Sequence, residues 1–129
     1  MKTLIPLLLL ITMLFSNATA QSNNQIVRLA KLSIDPKKLD QYNSFLKEEI
    51  ETSLNVEAGV LTLYAVAEKK NPSSITILEI YENEEAYKKH IQTPHFLKYK
   101  NGTKDMVLSL ELVEQQPLIP GMKLKYVRY

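Results

Sequence analysis

The order in which the apolar period changes along this chain limits its fold more than any single motif does. Residues 26–34 (IVRLAKLSI) alternate as a strand does. Asp35 and Pro36 then supply a helix N-cap and a first-turn proline. Leu39, Tyr42, Phe45, Leu46, Ile50 and Leu54 follow on one stripe at helical spacing, with Lys37, Lys38, Lys47, Glu48 and Glu51 facing away. Ala58-Gly59 closes that connection. Residues 60–69 (VLTLYAVAEK) and 74–82 (SITILEIYE) read as strands joined by the turn cluster Lys70-Asn71-Pro72-Ser73, which predicts a hairpin. Asn83 caps a short helix opening with Glu84 and Glu85, and Thr93-Pro94 starts another that runs toward Met106. Residues 107–113 (VLSLELV) form the last strand. The order is β-α-β-β-α-β, an α+β, ferredoxin-like arrangement.

Both faces of its sheet read as apolar. On the second strand Leu61, Leu63, Ala65 and Ala67 share one face, and Val60, Tyr64 and Val66 the other; on the third, Ile75 and Ile77 oppose Leu78 and Ile80. Helices cover one face, so the other needs a cover too, and a second sheet is the simplest one. A homodimer is therefore expected. Residues 116–129, with Pro117, Pro120 and Gly121 before LKYVRY, have no partner in a four-stranded sheet and read as an arm that crosses to a second subunit.

The N-terminus has the layout of a cleavable export signal. Lys2 precedes an apolar run over residues 4–15, interrupted by Pro6 and Thr12, and Ala18-Thr19-Ala20 places the cut before Gln21. A helix over that run rises about 18 Å against a hydrocarbon core of about 30 Å, too short to span comfortably. The expected division is a signal over residues 1–20 and one domain over 21–129, with its core at 26–113. Its location is periplasmic or secreted, with no membrane attachment after cleavage. The net charge of +2 falls to +1 when Lys2 is removed, leaving 15 basic and 14 acidic residues. That balance points away from nucleic acid as a partner. With no cysteine, the chain has neither disulfides nor a thiol nucleophile.

Few polar residues break the apolar pattern. Glu79 sits mid-strand, Tyr64 and Tyr81 lie on strands, and the two histidines, His90 and His95, stand five apart across a proline. Two histidines sharing a metal on one helix want a spacing of three or four, and no cysteine or carboxylate cluster accompanies these in sequence, so no metal site is expected. Bland readings stay open. His90 is either a solvent-facing helix residue, a core histidine bonded to Glu79, or a chemical group. His95 packs or caps a first turn, Glu79 is an edge-strand charge, and the tyrosines are core amphiphiles.

The run His90-Ile91-Gln92-Thr93-Pro94-His95-Phe96, preceded by Glu79-Ile80-Tyr81-Glu82-Asn83 and Ala86, resembles the antibiotic biosynthesis monooxygenase (ABM) domain family, in particular its quinol monooxygenase branch. Glu57-Ala58-Gly59 is similar to the acidic-x-Gly lead of that family into its second strand. The resemblance spans about residues 26–113. It implies a dimeric α+β barrel with an apolar pocket between sheet and helices, in which quinols or aromatic polyketides are oxidised with O2 and no cofactor. By the same resemblance His90 is the base and Glu79 its orienting partner, while His95, Tyr64, Tyr81 and Phe96 contact a small aromatic substrate. The absence of tryptophan sets the chain apart from haem-degrading relatives. Three functions follow: an exported cofactor-independent monooxygenase, an isomerase of a small oxygenated metabolite, and a non-catalytic module that binds a small ligand.

Overall fold

The computed structural model describes residues 24–119. The expected export signal and the arm beyond residue 119 lie outside the described residues. Elements follow the order β1 (Ile26–Ile34), a 3₁₀ turn (Pro36–Lys38), α1 (Leu39–Val56), β2 (Val60–Ala67), β3 (Ser74–Tyr81), α2 (Glu84–His90), α3 (Pro94–Thr103) and β4 (Val107–Gln115). The strands form one antiparallel sheet in the order β2-β3-β1-β4, the ferredoxin-like α+β arrangement expected from sequence. No helix among the described residues is long and apolar enough to cross a membrane.

Local chemistry fixes the helix starts. Asp35 Oδ1 accepts from the Lys37 amide at 3.0 Å, and Asn83 Oδ1 from the Ala86 amide at 2.8 Å. Thr93 Oγ1 accepts from the Phe96 amide at 3.3 Å and donates to the His90 carbonyl at 2.7 Å, so one side chain caps α3 and ties it to the end of α2. All three helices lie on one sheet face. Tyr42 and Leu46 of α1 pack there on Ala30, Leu32, Ile34, Ile75, Ile77 and Met106. Val60, Leu63 and Tyr81 make a smaller cluster beside Ala86 and Tyr87 of α2.

One irregularity changes the strand parity read from sequence. The β2–β3 register slips between Val60 and Thr62, so Val60 and Leu63 both turn to the helix side and are buried. The simple alternation placing Val60 with Tyr64 and Val66 fails because a bulge residue resets which face follows. Tyr64, opposite Leu78, then points away from the helices.

Candidate functional site

The helix-side face of the sheet and the three helices enclose a cavity of about 380 Å³. Its walls are largely apolar, with Leu32, Leu46, Leu63, Ile77, Phe96 and Leu112 among them. Polar groups enter from every side: Arg28 from β1, Glu79 and Tyr81 from β3, Glu49 from α1, His90 from α2 and Tyr99 from α3.

His90, the last residue of α2, is 2% exposed. Its ring lies 5.3 Å from that of Tyr81 and 5.1 Å from that of Phe96, centroid to centroid. Nδ1 donates to Glu57 Oε2 at 2.9 Å, while Nε2 lies 3.4 Å from Glu49 Oε1. The same Glu57 oxygen takes a second hydrogen bond, from His95 Nε2 at 2.7 Å. Glu57 is the C-cap of α1, held where its own amide donates to the Ser53 carbonyl at 3.0 Å. Glu49 is 5% exposed and accepts from Ser53 Oγ at 2.8 Å. Two carboxylates from the final turns of α1 therefore flank one imidazole.

Their environments push them in opposite directions. Burial raises the Glu57 carboxyl, but the hydrogen bonds from His95 and His90 outweigh it and hold the group below its usual range, as the carboxylate. Burial dominates at Glu49 and pushes it up, against the Ser53 hydrogen bond and the nearby imidazoles. An anionic Glu57 accepts the Nδ1 proton of His90, which leaves Nε2 as the unprotonated ring nitrogen, 3.4 Å from the cavity-lining Glu49.

The sheet floor carries a second charged group. Arg28 stands between its register neighbours Glu79 on β3 and Glu114 on β4. Its Nε donates to Glu114 at 2.7 Å, and its guanidinium sits 4.4 Å above the Tyr87 ring centre. Burial works against that charge, yet the Glu114 hydrogen bond holds the guanidinium above its ordinary value. Burial likewise raises the Glu79 carboxyl, with Arg28 offsetting part of the rise. The Tyr81 hydroxyl is pushed above its usual range by burial and by Glu79. Tyr99 shares a 2.7 Å hydrogen bond with Tyr42 and is pushed up to about 12, mainly by burial.

His90, Glu79, Tyr81 and Phe96 thus share the cavity wall as sequence reasoning placed them together. Three expectations change. The carboxylates at the His90 ring nitrogens are Glu57 and Glu49, whereas Glu79 faces Arg28 across the strand pair. His95 lies behind His90 on Glu57, off the cavity wall. Tyr64, 65% exposed, lies on the opposite sheet face, alternating with the buried Leu63. The premise that no carboxylate accompanies the histidines also fails, because Glu57 arrives from the far end of α1. Glu49 was legible as a charge on the stripe that buries Tyr42, Leu46 and Ser53. Glu57 stood in the acidic-x-Gly motif with no role attached.

A ferredoxin-like subunit with an apolar cavity beneath its helices, and a carboxylate-held histidine in the wall, defines a small-molecule site of the ABM type. The antibiotic biosynthesis monooxygenase model matches residues 25–102, and the chain belongs to that family, which carries a general monooxygenase-like function. A solved structure from Bacteroides thetaiotaomicron, provisionally described as an antibiotic biosynthesis monooxygenase, is 62% identical, with a TM-score of 0.78 over 79% of this chain and 97% of that one. A Lactobacillus acidophilus protein, provisionally described as a monooxygenase, is 30% identical at a TM-score of 0.69; the match covers 70% of this chain and 43% of that one. A Nitrosomonas europaea structure of 18% identity and TM-score 0.70 shares the fold, over 76% of this chain and 94% of that one. No curated protein sequence matches the chain.

Proposed function

We propose that this chain is an exported homodimeric monooxygenase that oxidises a small quinol-like aromatic with O2. One observation carries the reading. The His90 ring is clamped between Tyr81 and Phe96 with Nδ1 on Glu57 and Nε2 beside Glu49, and it lines a largely apolar cavity large enough for a substituted aromatic ring. His90 Nε2 takes the phenolic proton, with Glu49 positioned to stabilise the imidazolium that results. The quinolate so formed is electron-rich enough to reduce O2 itself. One oxygen atom replaces a ring hydrogen, the other leaves as water, and the hydroxyquinone produced has given up all four electrons. Protein work in such a reaction is orientation, exclusion of water and proton transfer. Glu79 and Arg28, paired on the floor opposite His90, are the groups that hold the ring hydroxyls.

Oxygen uptake by the purified chain against a panel of hydroquinones tests this reading. His90→Ala should lower turnover by about 10²–10⁴-fold, in kcat more than in KM. Binding of quinols without oxygen consumption would favour a ligand-binding module and refute the enzyme. Mass spectrometry of the exported protein should find an N-terminus at or near Gln21; a form retaining residues 4–15 would refute export with cleavage.

A further inference from the structure

Behind His90, on the side away from the cavity, three donor atoms converge. His90 Nδ1, His95 Nε2 and a Glu57 carboxylate oxygen all lie within 4.8 Å of one another. Both nitrogens point at the same oxygen, Glu57 Oε2, from 2.9 and 2.7 Å. A hydrogen bond from one imidazole orients a ring; two imidazoles aimed at one carboxylate oxygen make the donor set of a three-ligand zinc site. Tetrahedral ligands about 2.0–2.1 Å from zinc stand about 3.3 Å apart, so metal entry asks each imidazole nitrogen to draw back from the Glu57 oxygen by about 0.5 Å. That is within the reach of side chains that are only partly buried, as His95 and Glu57 are.

An independent feature points the same way. A metal-bound imidazole almost always gives its other N–H to a carboxylate or carbonyl, which fixes the ring and raises its basicity. His90 Nε2 faces Glu49, and Glu49 is itself buried and anchored by Ser53. The fourth position has access too. Glu57 lines a surface recess shared with Gly59, Glu82, Glu85 and Thr93, and it is absent from the wall of the substrate cavity. We propose that Glu57, His90 and His95 bind a divalent transition metal such as Zn2+, with Glu49 as the outer partner of the His90 ring.

The proposed oxidation supplies a consequence, and this clause alone rests on that reading. Metal on Nδ1 leaves the proton on Nε2, pinned toward Glu49, so the loaded imidazole has no free edge with which to take a phenolic proton. Zn2+ is then an inhibitor that acts from behind the base without entering the cavity.

The chain's composition makes the test clean. It has two histidines and no cysteine, so no other imidazole or thiolate competes for the metal. Zn2+ titrated calorimetrically into the untagged chain should bind at one site per chain. Co2+ should give the intense visible bands of a tetrahedral centre. His95→Ala and Glu57→Gln should each weaken Zn2+ binding at least tenfold, and Glu49→Gln, an outer-partner change, by about 10–100-fold. Zn2+ should also raise the wild-type melting temperature, but not that of His95→Ala, and thermal melts of metal-free His95→Ala establish that it folds. No saturable binding by the wild type, or equal binding by a folded His95→Ala, overturns the site. Binding without any quinol turnover would leave the site standing and sink the oxidase reading, so the two fail separately.

Discussion

Gly59→Ala perturbs the site without touching a polar group. An added Cβ at Gly59 would lie 2.5 Å from Ala86 Cβ, about 1 Å inside ordinary contact. The backbone there lies outside the left-handed region, so sterics alone decide the outcome. Neither partner can swing aside. Gly59 O accepts from the Glu82 amide at 2.8 Å, and the Ala86 amide is tied to the Asn83 cap. The clash therefore moves α2 as a body, and His90 is carried at its far end. Overpacking of this kind costs about 1–3 kcal/mol. In a domain of this size each kcal/mol lowers Tm by about 4–8 °C. Ala86→Gly removes the opposing methyl and by itself costs at most about 1 kcal/mol, as glycine does in a helix. If Gly59→Ala costs about 2 kcal/mol, independent effects would total about 3, whereas relief of the clash should leave the double variant near 1. Urea unfolding of the four-member cycle measures that coupling of about 2 kcal/mol directly. Turnover should follow, because moving α2 stretches the His90–Glu57 hydrogen bond. Additive losses, or a Gly59→Ala variant as stable as wild type, would refute the steric account.

Other outcomes are specific as well. Glu79→Gln should raise Tm at pH 7.5, because burial lifts the folded carboxyl above its unfolded value of about 4.3 and the fold there holds a costly anion. The sign follows: the stability Glu79 contributes is full below its unfolded pKa and lost as pH rises through its folded one. The Gln advantage should therefore shrink to nothing on acidification, and melts from pH 4 to 8 read it; Arg28, His90, Glu49 and Tyr81 face this group throughout. Tyr42→Phe should cost about 1 kcal/mol in urea unfolding by removing the partly buried hydroxyl pair with Tyr99; a cost of zero would mean water replaces it. Sedimentation should find a dimer at micromolar concentration, weakened by deleting residues 118–129; a stable monomer would refute the expected cover for the outer sheet face.

What sequence revealed and what it hid divides by the range of the interactions involved. Caps at Asp35, Asn83 and Thr93 are contacts between near neighbours, so helix starts were legible to the residue. The antiparallel sheet followed from counting elements. Val60 was put on the wrong face because alternation assumes an unbroken pleat, and one bulge at the start of β2 breaks it; Tyr64 was placed in the pocket by family resemblance, although its own alternation with Leu63 already set it on the other face. The partner of His90 was misassigned for another reason. Glu79 is nearer in sequence, but Glu57 stands 33 residues from His90 and 38 from His95, and only the closure of α1 against α2 and α3 brings it there.

The cavity carries a requirement of its own. Leu110 and Leu112 of the edge strand β4 line it, yet they are 56% and 50% exposed, so the helices leave that flank of the sheet uncovered. A quinolate beside an open flank would be solvated by water, and its electrons would be harder to give to O2. On the proposed mechanism, the ion pair that proton transfer to His90 would create is likewise held more strongly when it is shielded from water. On the proposed function, oxidation and assembly would be linked by the same two leucines. If the chain turns over quinols, something must lie against β4 during the reaction, and a second copy of the chain is the cover that the expected dimer would bring. Leu110→Lys and Leu112→Lys place a charge on that flank of the cavity wall. Under the dimer reading they should lower the association constant and the turnover together. A variant that is monomeric by sedimentation but oxidises quinols at the wild-type rate would break the link, and with it the argument that the flank must be dry.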